Sequence, residues 1–317
     1  DRIDMQSVYR VRPIGDVYVP VSIRSTVYDS ASIKFFDSSD LSQPNRIFNH
    51  LKRDGLALVA GRVELIQQLT DYLQRKRREL SFAGNRQQKK GRALDKRSSK
   101  SERVTAVDPL QRVMVLADAT GKLQLDPVPD LPFLIELIGE SAVANGECPF
   151  MLPLAKLDKI QTALSNAFQP EGFSTPIVAS DNVLRPQSQE TTTLFRQGLD
   201  NLLPPSSLLD LGCGSGLLSI IAARLFPQAQ ITAIDIMPEA TATTKINLKK
   251  QELQNRIKVY EGDLFQSLKG QTFNVIIFNA PWVVAKVRSR AEIPTNDEKQ
   301  QTITRFFEQV DRYLAPQ

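Results

Sequence analysis

Residues 207–237 read SLLDLGCGSGLLSIIAARLFPQAQITAIDIM. This stretch limits the fold more than any other. A short apolar run, three glycines at alternate positions, a helix-length apolar run and a second short apolar run follow one another without a break. A strand that is apolar on both faces must be covered on both faces, which means a parallel sheet with helices on each side. The rhythm then continues. Pro227 closes the first helix, and Pro238 sits where a first-turn proline opens the next, EATATTKINLKKQELQ. IKVYEGD and FNVIIFN read as the third and fourth strands. The expected fold class is α/β, a doubly wound, mostly parallel, Rossmann-like sheet over residues 169–317. A separate α+β domain is expected over residues 1–168.

The glycine loop, Asp210-Leu211-Gly212-Cys213-Gly214-Ser215-Gly216, allows a tight turn and close approach of backbone to ligand. A dinucleotide fingerprint G-x-G-x-x-G needs glycine at the position held by Leu217. The loop therefore suits a smaller ligand that carries an amine, a carboxylate and a ribose. Asp235 ends the second strand, where a carboxylate can accept both ribose hydroxyls. Asp263 follows the third strand and can accept from an adenine amine, with Ile236 and Leu264 on either side of the ring. Each acid alone could be an ordinary helix cap. In this order, at successive strand tips and behind the glycine loop, Asp210, Asp235 and Asp263 read together as a cofactor site.

The fourth strand ends in Asn279-Ala280-Pro281-Trp282, and Trp282 is the single tryptophan. LLDLGCGSG, AID, GDLF and NAPW together resemble the class I S-adenosylmethionine-dependent methyltransferases. NAPW is similar to the Asn-Pro-Pro-aromatic signature of those that methylate amide and amino nitrogens. VLRPQSQET at 183–191 resembles the segment ahead of the fold in the release-factor glutamine methyltransferases. The resemblance covers residues 170–317 and departs from the signature at Ala280, where proline is usual. It implies S-adenosyl-L-methionine as cofactor, with Asp210, Gly212, Gly214, Gly216, Asp235, Ile236, Asp263 and Leu264 around it. Asn279 and Ala280 would then orient the acceptor nitrogen, Pro281 would stiffen the turn, and Trp282 would stack on a flat acceptor. A full sheet of this family continues past its fifth helix, whereas DEKQQTITRFFEQVDRYLAPQ reads as a helix to the last residue. The C-terminus is expected to be incomplete and the sheet to lack its far edge.

Composition narrows the function classes. The net charge of +5 is an average over two unlike parts: residues 75–103 hold 12 Lys/Arg against 3 Asp/Glu. That segment is a solvated linker or a phosphate-contacting arm on RNA. One aromatic, Phe82, offers little base stacking there. A single histidine, His50, nearly excludes a histidine-rich metal site and a Ser-His-Asp triad and reads as an ordinary helix residue, so no metal is expected. Two distant cysteines, Cys148 and Cys213, fit a reducing, cytoplasmic setting. No apolar stretch reaches membrane-spanning length, and no apolar signal region opens the chain. The start at Asp1 rather than Met reads as a trimmed N-terminus.

Ahead of residue 170 no motif stands out. Residues 1–45 read as strands, 46–78 as helices with a break at Gly55, 104–125 as strands and turns, and 131–167 as helices broken near Cys148-Pro149 and Pro153. PEGFSTPIVASDNVLRP reads as a short hairpin, and QSQETTTLFRQGLDNLL as a helix with Leu194, Phe195, Leu199 and Leu202 on one face. The leading expectation is an N-methyltransferase acting on a protein glutamine or a nucleobase, so protein or RNA is the expected partner. The alternatives are a small-molecule methyltransferase and a non-catalytic cofactor- or RNA-binding module.

Overall fold

The structure is a computed structural model. It describes residues 9–14, 16–20, 31–53, 55–90, 108–139, 149–185 and 189–316. Contacts divide the chain into two units, Asp1–Ile135 with Glu140–Asp158, and Glu136–Gly139 with Lys159–Gln317.

The first unit is built on a closed six-stranded barrel. Its strands are β1 (Tyr9–Ile14), β2 (Val17–Pro20), β3 (Ala31–Phe36), β4 (Leu56–Val59), β6 (Val113–Ala117) and β8 (Phe150–Pro153), in the spatial order β1-β2-β8-β6-β4-β3. β3, β4 and β6 run parallel, and the remaining pairs are antiparallel. Closure removes exposed strand edges. Val11, Ile33, Leu58, Met114, Leu116 and Met151 form one buried cluster of this barrel. The short strands β5 (Gly61–Arg62) and β7 (Leu125–Asp126) pair separately. Helices α1 (Ser38–Leu41), α2 (Pro44–Leu51) and α3 (Val63–Lys90) connect the parallel strands; α4 (Leu134–Ile138) and α5 (Leu154–Ser165) precede and follow β8 along the chain, and each crosses the boundary between the two units. His50 is a helix residue, as expected. Its ring lies under Gly55, where a Cβ would come within 2.3 Å of Nε2, and Nε2 bonds the Leu56 carbonyl at 3.0 Å.

Two expectations for this half need correction. The break expected between Pro149 and Pro153 is itself a strand, Phe150–Pro153, because its four apolar residues pair with β6 and lie buried. α3 continues to Lys90 rather than ending near residue 78, so residues 75–90 of the basic segment are helical. Residues 91–103 lie outside the described residues, as does Cys148.

The second unit carries the parallel sheet. α6 (Gln189–Asp200) leads into β9 (Ser207–Leu211), α7 (Leu217–Leu225), β10 (Gln230–Asp235), α8 (Pro238–Lys250), β11 (Ile257–Glu261), β12 (Val275–Phe278) and α9 (Gln301–Gln309). The strand order is β11-β10-β9-β12, and every pair is parallel. Alternation along the strands sorts the core. Leu208, Ile231, Ala233 and Ile277 pack with Ile220 and Ala223 of α7 on one face. Leu209, Leu211 and Ile234 meet Phe265, Leu268 and Phe273 on the other. Phe306 of α9 stacks 6.0 Å from Phe265 and lies 5.0 Å from Phe278 on that second face.

The connector differs from expectation in detail. The hairpin over 170–186 reduces to one bridge, Phe168 with Ile177. On α6 the buried residues are Thr192 and Leu199, while Leu194 is 67% exposed, so the core-facing stripe runs through Thr192, Phe195 and Leu199. The C-terminal helix stops at Gln309. Leu314 then forms a parallel bridge to Phe273, so the chain turns back beside the start of β12 instead of remaining helical.

Candidate active site

A cavity of about 920 Å³ opens at the C-terminal ends of β9, β10 and β12. Gly212, Gly214, Asp235, Ile236, Asp263 and Leu264 line it. So do Asn279, Ala280, Pro281 and Trp282, which follow β12, the strand paired with β9. Ligands of open α/β sheets bind at this edge because crossovers diverge there.

The glycine loop is shaped by backbone requirements. Gly212, Gly214 and Gly216 all have positive φ, at 68°, 54° and 78°. A Cβ at Gly214 would meet nothing within 4 Å, so the empty space beside it belongs to the cavity. A Cβ at Gly216 would come within 2.8 Å of Thr244, so that glycine lets α7 start against α8. The Gly214 N–H donates to Asp235 Oδ2 at 2.9 Å, and the Met237 N–H donates to Oδ1 at 2.9 Å. Each carboxylate oxygen keeps a lone pair for a further donor.

Two expected cofactor residues sit behind the wall. Asp210 is 1% exposed and does not line the cavity. It shares the strand face of Leu208, and its Oδ2 accepts from Ser219 Oγ of α7 at 2.5 Å. Gly216 likewise lies outside the lining. Both support the loop from beneath.

Burial pushes the Asp210 carboxyl up to about 7, against the opposing hydrogen bond from Ser219 and with help from the charge on Asp235. Burial also raises Asp235, opposed by the Met237 and Gly214 N–H groups. The sign of the linkage is fixed by these directions. The fold favours the protonated carboxyl, so the stability from Asp210 is complete below the ordinary value of 3.8 and is lost as pH rises through about 7. Thermal unfolding followed across this window should show stability falling with pH, with up to about 1.4 kcal/mol per pH unit from Asp210. Asp210→Asn should remove that share of the slope; an unchanged slope would mean the carboxylate is ionised and solvated in the folded chain.

Sequence reasoning missed the residues that hold the loop. Thr244 and Asn247 lie one helical turn apart on α8. Thr244 Oγ1 donates to the Gly214 carbonyl at 3.0 Å. Asn247 Nδ2 donates to the carbonyls of Ser215 and Val178, both at 2.8 Å, and its Oδ1 accepts from the Val178 N–H at 3.0 Å. The available signal was a helix with Thr241, Thr243, Thr244 and Asn247 where an apolar stripe belongs; all four are buried. A second missed group is Glu239, which is fully buried at the start of α8. It takes a bidentate pair from Arg290 at 2.7 and 2.8 Å and a bond from Asn182 at 3.1 Å. This pairing ties the segment after Trp282 to α8.

Asn279 is exposed at the tip of β12, and its side chain makes no hydrogen bond among the described residues. Trp282 is 59% exposed. Among the described residues there is no group of three His, Cys, Asp or Glu that could hold a metal ion, and no helix is long and apolar enough to cross a membrane.

The sheet order, the glycine loop and an acid at the tip of the second strand define residues 187–317 as a class I S-adenosylmethionine-dependent methyltransferase domain. The family that matches these residues is the Methyltransferase small domain. Curated relatives point the same way. The ribosomal protein uL3 glutamine methyltransferase of Francisella tularensis is 37% identical over 89 residues, which is 28% of this chain and 28% of the relative. The release factor glutamine methyltransferase of Rhodopirellula baltica is 34% identical over 120 residues, 36% of this chain and 40% of the relative. The tRNA1(Val) (adenine(37)-N6)-methyltransferase of Vibrio campbellii is 37% identical over 82 residues, 26% of this chain and 34% of the relative. The chain thus spans less than half the length of these relatives.

The residues fit S-adenosylmethionine on chemical grounds. Gly214 leaves an unfilled cradle, and Asp235 offers acceptor capacity at a strand tip. Leu264, held at φ 50°, adds an apolar wall beside Asp263. If Asp235 accepts the ribose hydroxyls, Asp235→Ala should weaken cofactor binding by about 1–3 kcal/mol. Calorimetry with equal affinities would remove the ribose assignment.

Proposed function

We propose that this chain is an S-adenosylmethionine-dependent N-methyltransferase acting on a planar amide or amino nitrogen, in a protein glutamine or a nucleobase. One observation carries the reading: Asn279 to Trp282 line the same cavity as the glycine loop and Asp235. When bound, the cofactor supplies an already activated methyl group. The chain's own residues then need only hold an acceptor in line with it. The Asn279 side-chain oxygen and the Ala280 carbonyl accept the two hydrogens of an NH₂ group, which orients its nitrogen and favours positive charge developing there. Ala280 keeps the carbonyl that proline would offer, and Pro281 stiffens the turn. Trp282, with its ring largely exposed, stacks on a flat acceptor. Asp235, Ile236, Asp263, Leu264, Gly212 and Gly214 hold the cofactor; Asp210 and Gly216 shape the loop from behind.

Two of the relatives are glutamine methyltransferases by name and one is an adenine methyltransferase, which supports both acceptor classes. In this reading residues 1–168 form an accessory, substrate-binding domain, the basic segment over 75–103 contacts RNA or links elements, and the protein works in the cytoplasm. The test is to incubate cell lysate with the chain and methyl-labelled cofactor, with and without prior ribonuclease. Label that vanishes with ribonuclease identifies an RNA acceptor; label retained on protein identifies a protein acceptor, and mass spectrometry of the labelled peptide should place it on glutamine. No label above the Asn279→Ala control in either fraction would refute the proposed activity.

A further inference from the structure

Asp263 does not stand alone in the cavity. Its Oδ2 is held at 2.6 Å by the Nη2 of Arg305, which projects from α9 and also lines the cavity. Its other oxygen, Oδ1, has no hydrogen-bond partner among the described residues. Both side chains are partly solvated, with 43% and 37% of their surface exposed. An ion pair of that exposure contributes little to folding, because solvent screens it and ordering two long side chains costs entropy. Fold stability is therefore a weak reason for the pair.

The helix that carries Arg305 is itself tightly placed. Lys299 and Gln300 enter α9 with φ of 59° and 58°, a left-handed conformation that costs energy for residues with a Cβ. The buried Asp297 holds this entry by accepting from the N–H groups of Thr302 and Ile303 at 2.9 to 3.1 Å. Asp297 is also tied to the segment after Trp282, since its own N–H donates to the Val283 carbonyl at 2.8 Å. Phe306, next to Arg305, anchors the helix on Phe265 and Phe278. The guanidinium is thus presented by a rigid support to one oxygen of a carboxylate whose other oxygen is left open.

We propose that Arg305 is a positioning residue that sets the base selectivity of the cofactor site. By occupying Oδ2 it stops Asp263 from rotating and leaves Oδ1 as an acceptor for an exocyclic amine. A 6-oxo base would instead present an oxygen to a carboxylate and be rejected. This inference rests on the S-adenosylmethionine reading above. It assigns a function to a residue from the far end of the domain, 42 residues along the chain from Asp263.

The test is calorimetry with S-adenosylhomocysteine and with its 6-oxo (inosine) counterpart, on the full chain and on Arg305→Leu and Arg305→Lys. The full chain should prefer the amine ligand by roughly tenfold or more. Arg305→Leu should lose roughly tenfold for the amine ligand and change the 6-oxo ligand by less than about twofold, so that selectivity collapses. Arg305→Lys should keep part of it, since an ammonium can pair with Oδ2 without the fork geometry. Equal losses for both ligands in Arg305→Leu would mean a merely structural role and would overturn the proposal. So would unchanged affinities. If the full chain binds neither ligand, the cofactor reading itself falls, and this inference falls with it.

Discussion

Asn279→Ala should lower methyl transfer by about 100-fold or more while leaving cofactor affinity nearly intact, on the scale seen when an oriented hydrogen bond to a reacting group is removed. The asparagine follows β12 and lines the cavity, and no neighbour among the described residues uses its side chain. Nothing in the fold therefore depends on it, which makes a drop in stability an unexpected result. Ala280 would still offer its carbonyl, but a single acceptor leaves the nitrogen free to rotate. The measurement is paired: cofactor calorimetry and single-turnover transfer to the same acceptor. If transfer continues at the original rate, Asn279 is only a strand terminus and the nitrogen-acceptor assignment goes with it.

Asn247→Ala should be the most destabilising polar substitution in the second unit. The side chain is fully buried and satisfies three backbone groups, the N–H and carbonyl of Val178 and the carbonyl of Ser215. Truncation leaves all three without a partner, and each such buried group costs about 1–3 kcal/mol. A loss of about 3 kcal/mol or more is expected, or roughly 10 °C in melting temperature for a unit of this size. The same change frees the back of the glycine loop, so cofactor binding should weaken too, although Asn247 does not line the cavity. Asn247→Asp should be no better, because it puts a buried carboxylate against two carbonyls. A melting shift below about 2 °C would show that water replaces the amide and that the loop supports itself.

The α/β half could be read from its residues because its determinants are local. The strands β9, β10 and β12 are short, largely apolar runs, α7 and α8 are marked by proline at one end, and the order along the chain is the order of the motifs. Glycines at 212, 214 and 216 announce positive φ, and NAPW announces a turn at a strand tip. The barrel could not be read in this way. Its closure depends on β1 pairing with both β2 and β3, and on β8 inserting between β2 and β6, choices made by distant partners. FMLP has no period of its own, so only its neighbours make it a strand.

Residue type and local order set the chemistry within reach: which backbone can turn tightly, which carboxylates end strands, and which amide and indole follow the fourth. Packing between distant elements sets which of these face the cavity. Strand alternation sends Asp210 to Ser219 and away from the ligand space, while Asp235 and Asp263 remain at the opening. It also recruits Asn247 and Arg305, polar residues that no local pattern distinguishes, because packing brings α8 behind the glycine loop and α9 beside Asp263. Local conformation is set by neighbours along the chain, but which side chain meets which is set by contacts between residues that are far apart in sequence.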